Sequence, residues 1–318
     1  MASSDPQGGA VALIFPGQGS QFPGMGREFY ETSSAAREIF EEANRVLGYD
    51  LTKLCLEGPA EKLNLTCHTQ PALLTVSTVI YRLLRDEVKL SPAFMAGHSL
   101  GEYSALVAAD VLDFSDAVRL VSLRGRYMQE AVPDGAGAMA ALLGLSLEKV
   151  TEICAESTGD GAVVVPANIN SPEQIVISGD RKGVEKACGL AKAGGAKRVV
   201  PLPVSVPSHS PLMREAAENL SREIEKITFR PPAVPVISNV EAVPLSSGEE
   251  AKELLLRQLY SPVQWVASIQ CMVAGGVVVV VEVGPGKVLT GLVKRIDRDV
   301  RALSVNSHEE FAVLKEFE

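Results

Sequence analysis

The 318-residue sequence lacks the features of a membrane-bound or exported chain. Its valine run at 277–281 has about a quarter of the roughly 20 apolar residues that a helix needs to cross a bilayer. Residues 1–10, MASSDPQGGA, contain neither the basic residues nor the apolar core of a secretory signal. We therefore expect a cytoplasmic protein with no membrane partner.

Paired cysteines and clustered histidines are also absent. The cysteines are Cys55, Cys67, Cys154, Cys188 and Cys271, and the histidines are His68, His98, His209 and His308. No CxxC pair occurs and the histidines are scattered, so the ligand spacing of a metal site is missing. We expect free thiols and no bound metal.

The sequence has no excess of positive charge. A formal net charge of −9 and a pI near 5.2 argue against nucleic acid as the main partner. Hydrophobic residues make up 46% of the chain and charged residues 22%, close to the averages of globular proteins. The composition therefore excludes a disordered or fibrous protein.

Short apolar runs alternate with longer segments of helical periodicity. This order is typical of an α/β protein in which helices cover both faces of a mostly parallel sheet. The predicted strands are 11–15, 93–97, 235–239, 277–283 and 301–305. One predicted helix closes with Gly48, and another opens with Ser210 as its cap and Pro211 in its first turn.

Residues 135–205 follow a different order, which is strand, helix, strand, strand, helix, strand. This βαββαβ order is that of a ferredoxin-like unit. We therefore predict a ferredoxin-like insert at 135–205 within a discontinuous large domain made of residues 1–134 and 206–318. Ligands commonly bind in the cleft between two such units.

The stretch AGHSLGEYSA, residues 96–105, places Ser99 between Gly97 and Gly101. A predicted strand enters it and a helix leaves it, which is the context of a nucleophile elbow. The glycines would relieve crowding where strand and helix cross, and the Leu100 N–H would point at a developing oxyanion. Ser99 is thus a candidate nucleophile; the alternative is a hydroxyl in a glycine-rich turn.

A nucleophilic serine needs a base, and only four histidines are available. His98 is adjacent to Ser99, and in a tight turn the two side chains should point apart, which favours a packing role. His209 lies in the rigid segment PSHSP, where the chain returns from the predicted insert. His209 is therefore the candidate base, and a purely structural role is the alternative.

One arginine stands in an apolar stripe of the predicted helix 115–132. The residues that share this face are Ala117, Val121, Arg124 and Met128. An inward guanidinium must meet an anion, which is either a structural carboxylate or the carboxylate of a substrate. The pattern leaves both partners open for Arg124, and it places Arg119 and Arg126 in solvent.

The loop PGQGSQFPGMG at 16–26 follows the first strand and suggests a nucleotide site. Phe22 stands where the dinucleotide motif needs its third glycine, and no GxxxxGK[ST] occurs in the chain. The loop could instead supply a backbone N–H to an oxyanion.

Several motifs stand together in one order. They are GQGSQ, GHSLGEYSAL, Arg124 in the following helix, PSHSPLM, RQLYSPVQW and EVGPGKVLTGLVKR. With this set, residues 11 to 306 resemble the malonyl-CoA:acyl-carrier-protein transacylases of type II fatty-acid synthesis. The resemblance implies an α/β-hydrolase-like core with a ferredoxin-like insert, in agreement with the element order.

The resemblance implies roles for the matching residues. Ser99 matches the nucleophile, His209 its base, and Arg124 the residue that pairs with the malonyl carboxylate. Gln18 and Leu100 match the backbone donors of the oxyanion hole.

The resemblance also implies supporting residues around this pair. Gln258 matches the residue whose main-chain carbonyl orients the histidine, so that no acid is required. Asn168 and Asn170 match positions that line the cleft, and we expect Met128 on the inward helix face to line it as well.

The implied reaction is a ping-pong transfer of malonyl from malonyl-CoA, through a malonyl-serine ester, to the phosphopantetheine thiol of acyl carrier protein. It requires no bound cofactor, and we expect a monomer that binds the carrier transiently. Ser208 leaves methylmalonyl open as the acyl group. A serine esterase or thioesterase and a non-catalytic carrier-binding subunit also stay open as functions of the same serine motif.

Carrier proteins are acidic, as this chain is, so docking predicts a local basic patch. One candidate patch contains Lys287, Lys294, Arg295 and Arg298, and the other contains Lys192, Lys197 and Arg198. Ordinary solvated charge is the alternative for both.

Overall fold

The computed structural model describes residues 9–159, 161–204 and 206–318. The strands in these ranges are β1 (Ala10–Phe15), β2 (Phe94–Gly97), β3 (Gly137–Leu143), β4 (Val164–Ser171), β5 (Gln174–Asp180), β6 (Arg198–Pro201), β7 (Val236–Ile237), β8 (Val277–Val283) and β9 (Arg301–Val305).

Helices connect most of these strands. They are α1 (Arg27–Thr32), α2 (Ser34–Leu47), α3 (Leu51–Glu57), α4 (Ala60–Leu63), α5 (Thr66–Glu87), α6 (Leu100–Ala108), α7 (Phe114–Glu130), α8 (Leu147–Ser157), α9 (Arg181–Ala193), α10 (Arg214–Ile224), α11 (Gly248–Gln258), α12 (Trp265–Ala274), α13 (Val288–Ile296) and α14 (His308–Leu314). Short 3-10 helices lie at Pro211–Met213 and Lys315–Phe317.

The larger sheet is parallel throughout and has the order β7-β2-β1-β8-β9. The side chains of β8 enter two separate cores, with Val281 on the side of α5 and α7 and Val280 on the side of α12 and α13. A strand that is buried on both faces needs a nearly continuous apolar sequence, which explains the valine run. The α/β prediction is confirmed.

The predicted strands all lie in this sheet. Segments 277–283 and 301–305 match β8 and β9 to the residue, whereas the segment predicted at 235–239 pairs only over Val236–Ile237. Gly48 ends α2 in the left-handed conformation that glycine tolerates, with φ 72°, as predicted.

The smaller sheet is antiparallel and has the order β4-β5-β3-β6. Numbered within the unit, this is the order 2-3-1-4 of a ferredoxin-like fold, and α8 and α9 pack on the sheet around Ile153 and Val184. The predicted βαββαβ order is therefore confirmed. The boundaries at 134/135 and 205/206 stay predictions, and residues 1–8, Asp160 and Ser205 lie outside the described residues.

Backbone hydrogen bonds join the smaller sheet to the rest of the chain beside the functional region. The Ile169 N–H donates to the Val263 carbonyl at 2.9 Å, and the Val263 N–H donates to the Ala167 carbonyl at 2.9 Å. These bonds bring the polar side of β4 to the carboxyl edge of the parallel sheet, where ligands of α/β proteins commonly bind.

The predicted helix start at Ser210 and Pro211 is confirmed in position. Ser210 is the N-cap residue of a 3-10 turn that begins with Pro211, and α10 continues from Arg214. The Ser210 hydroxyl donates to the Pro207 carbonyl at 2.7 Å, so it closes the loop that holds His209 and makes no side-chain capping bond. Across the described ranges, no helix combines the length and apolar character needed to cross a membrane.

Candidate active site

Ser99 occupies the corner between β2 and α6. Its φ of 52° and ψ of −106° lie outside the common regions for a residue with a side chain. The Asn239 side chain holds this corner, because its Oδ1 accepts from Ser99 N–H at 2.7 Å and its Nδ2 donates to the Gly97 carbonyl at 2.6 Å. The corner thus presents the serine hydroxyl at the carboxyl edge of the sheet.

The two glycines of the motif make this corner possible. A Cβ at Gly97 would lie 1.9 Å from the backbone carbon of Gly101, and a Cβ at Gly101 would lie 2.0 Å from the Phe15 carbonyl oxygen. Backbone atoms cannot move away from such contacts without opening the sheet. The prediction that these glycines relieve crowding is confirmed.

His209 lies against Ser99 although 110 residues separate them in the chain. The distance between Ser99 Oγ and His209 Nε2 is 2.8 Å, and the distance between His209 Nδ1 and the Gln258 carbonyl oxygen is 2.7 Å. A carbonyl only accepts, so Nδ1 carries the proton and Nε2 is free to accept from the serine hydroxyl. The pair therefore has the arrangement of a nucleophile and its base.

The environment of His209 keeps its imidazole neutral. Burial lowers its pKa to about 3, and the positive charge of Arg124 contributes in the same direction. A neutral imidazole is the form that can take a proton from a hydroxyl.

Arg124 is fully buried on α7, as its place in the apolar stripe predicts. Its NH1 donates to Gln70 Oε1 at 2.8 Å, and its NH2 donates to Gln258 Oε1 at 2.8 Å and reaches Ser99 Oγ at 3.3 Å. These partners are all neutral. A buried guanidinium with neutral ligands, next to a serine–histidine pair, is suited to receive an anionic group.

The neighbouring arginines behave differently. Arg119 and Arg126 lie on the same helix and are about half exposed, with Glu223 and Glu130 as their nearest carboxylates at 4.0 and 3.8 Å. Their placement in solvent confirms the prediction from the helical stripe.

Two backbone N–H groups near Ser99 are free to act as donors. Leu100 is the first residue of α6, and Gln18 lies in the loop that follows β1. Within the part of the chain that the structure describes, neither N–H has a hydrogen-bond acceptor. A free N–H at a helix start suits a developing negative charge.

A cavity of about 480 Å³ opens over Ser99 and His209. Gln18, Asn168 and Ser208 also line it. Its volume is in the range of small-molecule sites. A groove of about 690 Å³ on the smaller sheet adjoins it and shares Met139 and the segment 202–204.

Two residues predicted to line the cleft lie elsewhere. Met128 is 1% exposed and is covered by Gln70, whose Nε2 lies 3.5 Å from its sulfur. Asn170 does not line the cavity, and its Oδ1 lies 2.7 Å from His98 Nε2. His98 also packs against Trp265, in line with its expected packing role.

Sequence reasoning missed three buried polar residues. Gln70 holds Arg124, Asn239 holds Ser99, and Glu102 accepts from Gln258 Nε2 at 2.6 Å. All three side chains are buried, but the sequence around them does not name their partners. No group of metal-binding side chains occurs within the described ranges.

Comparison with known proteins agrees with this geometry. A family model described as an acyl transferase domain matches residues 12–309. The malonyl CoA-acyl carrier protein transacylase of Escherichia coli K12 is 52% identical over 96% of this chain and 98% of that protein. The solved structure of the malonyl CoA-acyl carrier protein transacylase from Coxiella burnetii is 44% identical, covers 99% of both chains and has a TM-score of 0.96.

A third relative comes from a solved complex of a type II polyketide acyl-carrier protein with its malonyl-transacylase. It is 47% identical, with a TM-score of 0.94 over 97% of this chain and all of that chain. The match to the acyl transferase family model places the present chain among the acyltransferases, and the serine corner and the parallel sheet agree with that class. It belongs to the acyl transferase family and, within it, to the malonyl CoA-acyl carrier protein transacylases.

Proposed function

We propose that this chain transfers a malonyl group from malonyl-CoA to the phosphopantetheine thiol of acyl carrier protein. One juxtaposition carries the proposal: Ser99 Oγ lies 2.8 Å from His209 Nε2 and 3.3 Å from the Arg124 guanidinium. A nucleophile and base beside a buried guanidinium suit an acyl group that ends in a carboxylate. The names of the relatives support the same substrates.

In the first half-reaction, His209 Nε2 takes the Ser99 hydroxyl proton as Oγ attacks the thioester carbonyl. The backbone N–H groups of Gln18 and Leu100 stabilise the oxyanion. The carbon–sulfur bond then breaks, CoA leaves with the proton from His209, and malonyl remains as an ester on Ser99.

In the second half-reaction, the carrier's phosphopantetheine thiol enters the same cavity. His209 takes its proton, and the sulfur attacks the ester carbonyl. The ester bond between the acyl carbon and Ser99 Oγ breaks, and His209 returns the proton to Oγ. The malonyl thioester then leaves on the carrier. The main-chain carbonyl of Gln258 keeps the imidazole oriented through both steps.

The chemistry of Arg124 supports selection for a carboxylate. In the free protein the guanidinium has only neutral ligands, so a malonyl carboxylate adds an opposite charge that acetyl does not supply. Methylmalonyl is a second candidate, because Ser208 lines the cavity beside His209 and its small side chain leaves room for a methyl group.

The surroundings of His209 disfavour a hydrolase. Serine hydrolases with a triad place a carboxylate on Nδ1, whereas here Nδ1 meets the Gln258 carbonyl. Mixing the protein with malonyl-CoA and a holo carrier protein tests the distinction, with mass spectrometry of the carrier as the readout. We expect malonyl-carrier, and none with apo carrier as the control. Free malonate and CoA without malonyl-carrier would identify a hydrolase.

Several expectations from the sequence remain predictions. They are a monomeric state, a cytoplasmic location, the lack of a bound metal or cofactor, and the lack of a nucleic-acid or membrane partner. The carrier protein remains the expected transient partner.

Of the two basic patches predicted for carrier docking, we favour the one around α13. Lys287, Lys294 and Arg295 are exposed there. In the second patch Lys197 lies 2.8 Å from Glu173, so its charge is already balanced.

Reversing the charges of the favoured patch, with Lys294→Glu and Arg295→Glu together, should raise KM for carrier protein by about tenfold because an attractive field becomes repulsive. Malonyl loading from CoA should stay unchanged. Lys192→Glu with Arg198→Glu is the matched comparison. Steady-state assays measure malonyl loading from CoA and malonyl transfer to the carrier separately. An equal loss in both half-reactions would contradict the assignment of this patch to carrier docking.

A further inference from the structure

One buried carboxylate has no part in the reaction described above. Glu102 lies in the first turn of α6, three residues after Ser99, and is 1% exposed. Its Oε2 accepts from Gln258 Nε2 at 2.6 Å and from the Asn239 N–H at 3.3 Å. Both donors are neutral. A buried carboxylate with neutral ligands is costly, so its position needs a reason.

The Gln258 side-chain amide connects Glu102 to a buried positive charge. While Nε2 of this amide faces Glu102, its Oε1 accepts from Arg124 NH2 at 2.8 Å. One side-chain amide therefore separates a buried negative group from a buried positive group. Opposite charges at this spacing stabilise each other in a site of low dielectric, and when Glu102 is ionised the two together leave the free site neutral.

The neighbouring titratable groups carry no charge near pH 7. Tyr103 follows Glu102 on α6, and burial raises its pKa to about 12. Burial lowers the pKa of His98, before α6, and that of His209, in the loop after the smaller sheet. Arg124 on α7 is therefore the charge that Glu102 balances.

We propose that Glu102 takes up one proton from solvent when the carboxylate of the acyl group pairs with Arg124, and so tunes the affinity for carboxylated acyl groups. The inference rests on the proposed loading of Ser99. Loading brings a second carboxylate to a site that holds a single guanidinium, and two carboxylates near each other cannot both stay ionised at little cost. An O–H bond formed on Glu102 restores neutrality.

The direction of the pH dependence follows from this coupling. Burial raises the pKa of Glu102 to about 7 in the free protein, against the opposing effects of the Gln258 amide, the Asn239 N–H and Arg124. The acyl carboxylate raises it further, so the loaded protein binds more protons than the free protein. Loading is then most favourable below pH 7 and weakens as the pH rises above it, by at most about tenfold per pH unit.

The test measures the loading equilibrium at a fixed ratio of malonyl-CoA to CoA, from about pH 6 to about pH 8.5, by intact-protein mass spectrometry. In Glu102→Gln the amide still accepts from Gln258 but does not titrate, so this variant should load several-fold more than wild type at high pH. Glu282→Gln is the matched control, since Glu282 is also buried but binds the start of α13. Ionisation of the CoA thiol affects all variants equally and cancels in their ratios.

Two outcomes separate this inference from the proposed function. If wild type loads but Glu102→Gln follows the same pH curve, Glu102 takes up no proton and the inference is wrong. If wild type forms no malonyl ester at any pH, the proposed function itself is wrong.

A second measurement needs no variant. The infrared difference spectrum of loaded minus free wild type should show a new protonated-carboxyl C=O band that stays in place when the malonyl group carries ¹³C. A spectrum in which every new carbonyl band moves with ¹³C would overturn the proposal.

Discussion

Replacing Arg124 with alanine is expected to lower kcat/KM for malonyl loading by about 30- to 4,000-fold and to abolish the discrimination against acetyl-CoA. The estimate follows from the cost of truncating one partner of a buried charge pair, about 2–5 kcal/mol, at about 1.4 kcal/mol per factor of ten. The loss arises because the substrate carboxylate enters a buried site without its counter-charge. Single-turnover loading with malonyl-CoA and acetyl-CoA in parallel measures both effects.

Arg126→Ala is the matched control for this experiment. Arg126 lies two residues further along α7, is about half exposed, and has Glu130 at 3.8 Å. The Arg126→Ala change removes one positive charge from the same helix but no contact with Ser99, so loading should be unchanged. An Arg124→Ala protein that still prefers malonyl over acetyl would assign the selectivity to another residue.

Replacing His209 with alanine is expected to slow malonyl loading by about 10³-fold, because Ser99 then has no base within hydrogen-bond distance. Rapid-quench measurement of the acyl-enzyme gives this rate. His68→Ala is the control, since His68 is half-buried beside Tyr49 and does not touch the serine. A loading rate within a few-fold of wild type would show that His209 is not the base.

The pH profile of the wild type tests the same base independently. His209 must be neutral to act, so activity is lost as the pH falls through its pKa, which burial and Arg124 lower to about 3. We expect kcat/KM to stay level as the pH falls from 7 to 5, whereas an ordinary histidine with a pKa near 6.5 would lose activity there. An acid limb centred near pH 6.5 would contradict this account of the site.

Local geometry explains why the serine corner was predictable from the sequence. A strand, a serine flanked by two glycines and a helix leave few arrangements, because any Cβ at Gly97 or Gly101 meets backbone within 2.0 Å. The apolar stripe of α7 likewise predicted that Arg124 points inward. It did not reveal what the guanidinium meets, since Gln70 and Gln258 lie 54 and 134 residues away.

The parts that the sequence did not reveal depend on contacts between distant segments. Glu102 stands inside the serine motif, yet its partner Gln258 lies 156 residues further on. Asn239 follows the two-residue strand β7 and reaches back 140 residues to Ser99. Met128 shares the helix face of Arg124, but helical spacing cannot tell a cavity wall from the core behind it.

The chain order of the smaller sheet was easier to predict. Its six elements follow the βαββαβ order of the ferredoxin-like arrangement, and the short connection between β4 and β5 leaves little freedom in how these two strands pair. Ser210 and Pro211 also marked the next helix start, but residue types alone did not reveal that its first turn is a 3-10 turn. The Ser210 hydroxyl bonds to the Pro207 carbonyl, a local contact that the preference of serine for cap positions does not predict.

Intact-protein mass spectrometry after brief mixing with malonyl-CoA tests the central claim most directly, with Ser99→Ala beside the wild type. The account predicts that wild type gains the mass of one malonyl group, that digestion places it on the peptide with Ser99, and that Ser99→Ala gains none. A malonyl adduct of equal yield on Ser99→Ala, or the absence of any adduct while malonyl-carrier still forms, would contradict it.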